Sequence, residues 1–89
     1  MTVQEKIVVD YDRESDVLYV DVGEPEPSYC EYAGSALVFL RKNKRTDEIA
    51  GLVVMDFSYV LSTGFFVNHK LPDPFSKDVI DKILIETGH

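Results

Sequence analysis

A single cysteine, Cys30, among 89 residues excludes an internal disulfide framework and a cysteine-only zinc site. A reducing cytoplasm is the expected compartment. No apolar run approaches the roughly 18 residues of a membrane-spanning helix, and Met1–Lys6 shows no apolar core of a secretory leader. Neither G-x-x-x-x-G-K-S/T nor G-x-G-x-x-G occurs, so the glycine loops that cradle phosphates are missing. Ser28, Ser35, Ser58, Ser62 and Ser76 have no G-x-S-x-G context, and Cys30, beside Glu31, lacks the electropositive sequence neighbours of a reactive thiol. His69 and His89 show no H-x-x-x-H zinc spacing. No cofactor and no metal is therefore expected. Bases are scarce as well, with 9 Lys and Arg against 16 Asp and Glu, a net charge of −7. Only Arg41, Lys42, Lys44 and Arg45 cluster, and they read as a solvated hairpin tip. A chain of this balance repels a phosphate backbone, so neither nucleic acid nor membrane is an expected partner.

What is present is an ordinary globular balance, 45% hydrophobic and 28% charged, which argues for one folded domain over residues 1–89. Ile7–Tyr11 is β-branched and aromatic, and Val17–Val22 alternates with period two, so these runs predict two strands joined by the polar turn Asp12–Asp16. Tyr11 and Tyr19 are expected to face each other across this hairpin. Gly23–Pro27 predicts a loop, because its prolines cannot donate to a sheet ladder. Ser28–Tyr32 suggests a short strand ended by Gly34. Ala36–Leu40 and Ile49–Phe57 predict a second hairpin of open turn type, and the pattern from Ser58 to Lys70 is irregular. Pro72-Asp73-Pro74 announces a C-terminal helix over 74–87, with Asp73 as N-cap, Pro74 in the first turn and Gly88 just past the end. Phe75, Val79, Ile80, Ile83 and Leu84 share its apolar face. The fold class that follows is α+β: an antiparallel sheet of four or five strands built from two β-hairpins, with the helix on one face.

The first hairpin, Tyr11-Asp12-Arg13-Glu14-Ser15-Asp16-Val17-Leu18-Tyr19-Val20, resembles the Y-D-x-E-x-D-x-L-Y-I signature of the domain of unknown function 2283 family of small bacterial proteins. Gly51-Leu52-Val53-Val54-Met55-Asp56 resembles that family's second landmark, G-I-E-I-L-D. The resemblance spans about residues 6–60, with 61–89 outside it, and Val53 stands where the family tends to carry a charge. It implies a fold and no activity.

Asp10, Asp12, Glu14 and Asp16 place oxygens at alternate positions, with Asp21 further on at the twelfth position, as a calcium loop does. Ser15 stands where such a loop needs Gly, and the flanks are strands, so hydrogen bonding to turn amides is the expected role of Asp12 and Asp16. A weak cation site is the alternative. No acid, base and nucleophile set is visible, and no catalytic residue is assigned. Three functions are weighed: a non-enzymatic oligomeric binding or assembly module, a carboxylate-dependent enzyme using the Asp12/Glu14/Asp16 turn, and an acidic antitoxin-like inhibitor of a basic protein partner. The first is favoured. Ala36–Leu40 and Leu52–Met55 are apolar on both faces and must be covered twice, while the chain offers one helix. A homodimer is expected, with Val53, Met55, Phe57, Phe65 and Phe66 at the contact and Ile85 as a further contributor.

Overall fold

The computed structural model describes residues 6–24 and 26–89; the Met1–Glu5 part of the leader reading and Pro25 of the proline loop lie outside the described residues. Five strands appear in chain order: β1 Ile7–Asp12, β2 Val17–Val22, β3 Ser28–Ser35, β4 Val38–Asn43 and β5 Ile49–Val54. Three helices follow, α1 Phe57–Ser62, α2 Phe65–Asn68 and α3 Lys77–Thr87. The strands form one antiparallel sheet in the order β1-β2-β5-β4-β3. The fold is thus α+β, a five-stranded antiparallel sheet with a C-terminal helix.

Both predicted hairpins form, and both turns use one device. Asp12 Oδ1 accepts the amides of Glu14 and Ser15 at 3.1 and 3.4 Å, and Asn43 Oδ1 accepts those of Arg45 and Thr46 at 2.8 and 3.2 Å. Four residues after each acceptor, Asp16 and Asp47 take left-handed backbone, at φ 57° and 62°. Asp tolerates that conformation better than most side chains, which explains a tight turn without an Asn-Gly pair.

Alternation places one face of the sheet in the core. Leu18, Val20 and Val22 of β2, Val38 and Leu40 of β4, and Leu52 and Val54 of β5 are buried against Phe57, Val60, Phe65, Leu71, Phe75, Ile80 and Ile83. The helices therefore all contribute to the same side of the sheet.

Several boundaries differ from the sequence expectation. The strand predicted over Ile49–Phe57 ends at Val54, because Asp56 turns left-handed, at φ 48°, and Phe57 begins α1. The first residues of the predicted strand Ala36–Leu40 are turn, and Leu37 N–H bonds Ser35 Oγ at 3.2 Å. Strand β3 runs on to Ser35 through a register shift, since Gly34 adopts φ 88° and bulges the strand without ending it. The C-terminal helix starts at Lys77 and not at Pro74. Ser76 is its N-cap, accepting Val79 N–H at 3.4 Å, and the Asp73–Pro74 segment precedes it. Gly88 closes it in left-handed backbone as expected.

Candidate functional site

The acidic turn is a lock between the first hairpin and the helices. Asp16 Oδ1 accepts the Tyr11 hydroxyl at 2.5 Å and the Ser58 hydroxyl at 3.0 Å, while Oδ2 accepts Ser58 N–H at 3.1 Å. The Asp16 carbonyl accepts Phe57 N–H at 2.9 Å. Asp56, the N-cap of α1, makes no side-chain cap, so Asp16 supplies from the β1–β2 turn the oxygens that first-turn amides need. The Tyr11 hydrogen bond is the main reason the Asp16 carboxyl is held below its usual range, with the Ser58 donors adding to it. The same bond raises Tyr11. Asp12 is also lowered, first by the Ser15 hydroxyl and then by its amide. Arg13 reaches from the turn to the Thr87 carbonyl at 3.1 Å and lies 5.3 Å from the Tyr11 ring centre. His89 packs edge-on to Tyr11 and Phe57 at 5.5 and 5.0 Å. Glu14 is exposed. The turn acids thus serve amides and hydroxyls of the fold. Among the described residues no three His, Cys, Asp or Glu side chains gather in a ligand arrangement.

Three of the four bases of the cluster, Arg41, Lys42 and Arg45, are engaged in ion pairs. Lys42 pairs with Glu31 at 2.8 Å, Arg45 with Glu26 at 3.1 Å, and Arg41 with Asp21. Asn43 also bonds Glu26, and the Tyr29 hydroxyl donates to Asp47 at 2.7 Å. Arg41 and Lys42 belong to β4 and not to a hairpin tip. The pairs are exposed or partly exposed and worth little in stability, but together they offset much of the positive patch that an acidic partner or a phosphate backbone would read.

The second face of the sheet carries a different surface. The register lines up Asp10, Tyr19, Val53, Phe39 and Tyr32 across all five strands. A second row holds Val8, Asp21, Gly51, Arg41 and Cys30. Val8, Tyr19 and Tyr32 are 43%, 44% and 71% exposed, and the Tyr32 and Phe39 rings lie 5.1 Å apart. Arg41 lies over Gly51 to reach Asp21. A Cβ at Gly51 would collide with its guanidinium and stand 2.5 Å from the Val20 carbonyl oxygen, so the bare backbone makes room for the pair. Arg41 Nε is buried and has no acceptor.

The expected contact residues separate. Val53 is at the centre of this face, half-buried, and Met55 is 44% exposed just past β5. Phe57 and Phe65 are 1% and 5% exposed in the core under the opposite face, which withdraws them from any contact. They are drawn inward because Asp56 reverses the chain after β5 and α1 and α2 then fold over the sheet. Phe66 is half-buried beside them, its ring 5.2 Å from that of Phe65. Tyr11 pairs with Leu18 and Tyr19 with Asp10, so the two tyrosines sit on opposite faces and form no cross-strand pair. The sequence reading missed Tyr32, Phe39 and the Asp21–Arg41 pair. Strand parity could have found Phe39 and Arg41, but which strands are neighbours was needed for the rest. Scans of family models, curated proteins and solved structures return no match to this chain.

Proposed function

We propose that the chain is a non-enzymatic assembly module that acts in the cytoplasm as a homodimer, joined through the open face of its sheet. The observation that carries this reading is the row Tyr19-Val53-Phe39-Tyr32, aromatic and aliphatic on the side the helices do not cover. Aromatic residues at the centre of a patch with a polar rim are what protein interfaces concentrate. The carboxylate-enzyme reading has less support, because a general base is tuned toward neutral pH and Asp12 and Asp16 are both held lower than usual, with Asp16 engaged by Tyr11 and Ser58. An acidic inhibitor would use Asp10, Asp12 and Asp21 along the β1–β2 side, and the aromatic half of the face would then stay uncovered. The kinship with the domain of unknown function 2283 family is likewise a proposal, supported by the Tyr11–Val20 signature.

Light scattering from about 1 to 500 μM spans the range expected of a small interface. A mass rising from 10.1 kDa toward twice that value supports the reading, and Val53→Glu should weaken association at least tenfold while leaving the circular dichroism unchanged. A mass fixed near 10.1 kDa throughout overturns it.

A further inference from the structure

Two in-plane two-fold axes can stack this face on a second copy of itself. One runs across the strands and lays each strand on its own equivalent. The other runs along the central strand β5 and lays the strands in reversed order, β1 over β3 and β2 over β4. The residues distinguish them. An axis across the strands that passes through one row sets that row's acid on its own equivalent, Asp10 on Asp10 or Asp21 on Asp21, and one that passes midway between the rows sets the Asp21 carboxylate on the Tyr19 ring, whose face is electronegative.

We infer that the open face is covered by a second copy of this chain related by a two-fold axis along β5; the inference rests on the dimer proposed above and fixes its orientation. Each row is then its own complement. In the first, Asp10 of one copy meets the Tyr32 hydroxyl of the other, Tyr19 meets Phe39, and Val53 meets its equivalent on the axis. In the second, Asp21 of one copy arrives over Arg41 on β4 of the other. The four side chains of two Asp21–Arg41 pairs alternate in sign around the axis, and Gly51 on both copies leaves space for the guanidinium groups. Arg41 has five donors and Asp21 engages it through Nη2, so each guanidinium can hold a second carboxylate.

The face is small. Strands about 4.8 Å apart, six residues long at about 3.3 Å, give roughly 20 Å by 20 Å, below a standard interface. The dimer is accordingly of the transient class, with dissociation at micromolar concentration or weaker.

Cross-linking reads the axis directly. Val8 and Cys30 end the second row, about 19 Å apart on one sheet, whereas stacked sheets stand about 10 Å apart. The roughly 30° between aligned sheets shifts the row ends by about 5 Å. An axis along β5 places Val8 of one copy over Cys30 of the other and keeps the two Cys30 thiols apart. A bis-maleimide reaching about 10–12 Å, applied to the V8C chain at several hundred micromolar, should give covalent dimer on a denaturing gel. The wild-type chain, with Cys30 alone, should give none. As a second measurement, D21R and R41D each associate at least tenfold more weakly than wild type, and their equimolar mixture recovers dimer. Covalent dimer from wild type, or none from V8C, in a sample that light scattering shows to be dimeric overturns the axis and leaves the dimer reading standing. A monomer by light scattering overturns both.

Discussion

Replacing Asp16 with Asn tests the lock between the first hairpin and α1. Asn tolerates the left-handed backbone of Asp16 (φ 57°) and keeps one acceptor oxygen for the Tyr11 and Ser58 hydroxyls. It loses the charge and the Oδ2 that accepts Ser58 N–H. A hydrogen bond to an ionised group contributes about 1.5–3 kcal/mol against about 1 for a neutral one, and the half-exposed position favours the low end. The expected loss is about 1–2 kcal/mol, which for a domain of this size lowers Tm by about 5–10 °C. Asp16→Ala should cost about 3 kcal/mol, since every partner is stranded and a left-handed Ala adds about 1 kcal/mol. Total stability for such a chain is roughly 4–13 kcal/mol, so the difference is large enough to measure by urea unfolding followed by circular dichroism.

The pH dependence separates this account from a packing effect. Asp16 is lowered in the folded state, first by the Tyr11 hydrogen bond. Its contribution is therefore fully present above the unfolded Asp value of about 3.9 and is lost as pH falls through the lower folded value. The gap between wild type and D16N should hold from pH 7 to about 4.5 and narrow progressively as pH falls below about 3.9. Equal stability at pH 7, or a gap unchanged down to about pH 2.5, would refute the reasoning.

Tyr11 gives the opposite sign: its pKa is raised, first by the bond to Asp16, so its contribution is complete below about pH 10 and is lost as pH rises past the folded value. Tyr11→Phe should destabilise by about 1 kcal/mol at neutral pH and remove that alkaline loss; a variant whose alkaline limb matches wild type in urea unfolding counts against it. Gly51→Ala should expel Arg41 from its place over β5 and press on the Val20 carbonyl, at a cost of about 1–3 kcal/mol. An unchanged melting temperature in that variant would show that Gly51 is not needed for the pair.

The parts of the fold that could be read directly were those where one local rule acts alone. Val17–Val22 alternates cleanly and forms β2, and the apolar face of Val79, Ile80, Ile83 and Leu84 forms α3. The misreadings fall where a tertiary contact overrides the local signal. Pro74 suits a first turn, but Ser76 offers an N-cap oxygen and the helix begins there. Ile49–Phe57 continues a strand pattern, yet the Asp56 backbone and the oxygens of Asp16 start α1 at Phe57. The phenylalanines 57 and 65 were expected at a contact because α1 and α2 had not been recognised, and those short helices exist mainly through the packing of Phe57, Val60 and Phe65 on the sheet. The apolar residues on both sides of β4 and β5 did mark a second face with apolar side chains, which the structure leaves open. Its composition stayed hidden, because Tyr32 and Tyr19 join Phe39 and Val53 only through the order β1-β2-β5-β4-β3.

That order also separates the two features that the sequence made prominent. The acidic turn is dense in carboxylates and invites a catalytic or metal-binding reading. Its geometry spends Asp12 on turn amides and Asp16 on Tyr11 and Ser58, which makes it the joint that holds α1 and the end of α3 to the hairpin. The opposite face leaves Val8, Tyr19 and Tyr32 exposed, with the Tyr32 ring beside Phe39. Apolar surface that the fold leaves exposed is available to a contact outside it. On the reading proposed above, function belongs to the open face, and the reversal of acid and aromatic along its rows would give a second copy a defined direction of approach.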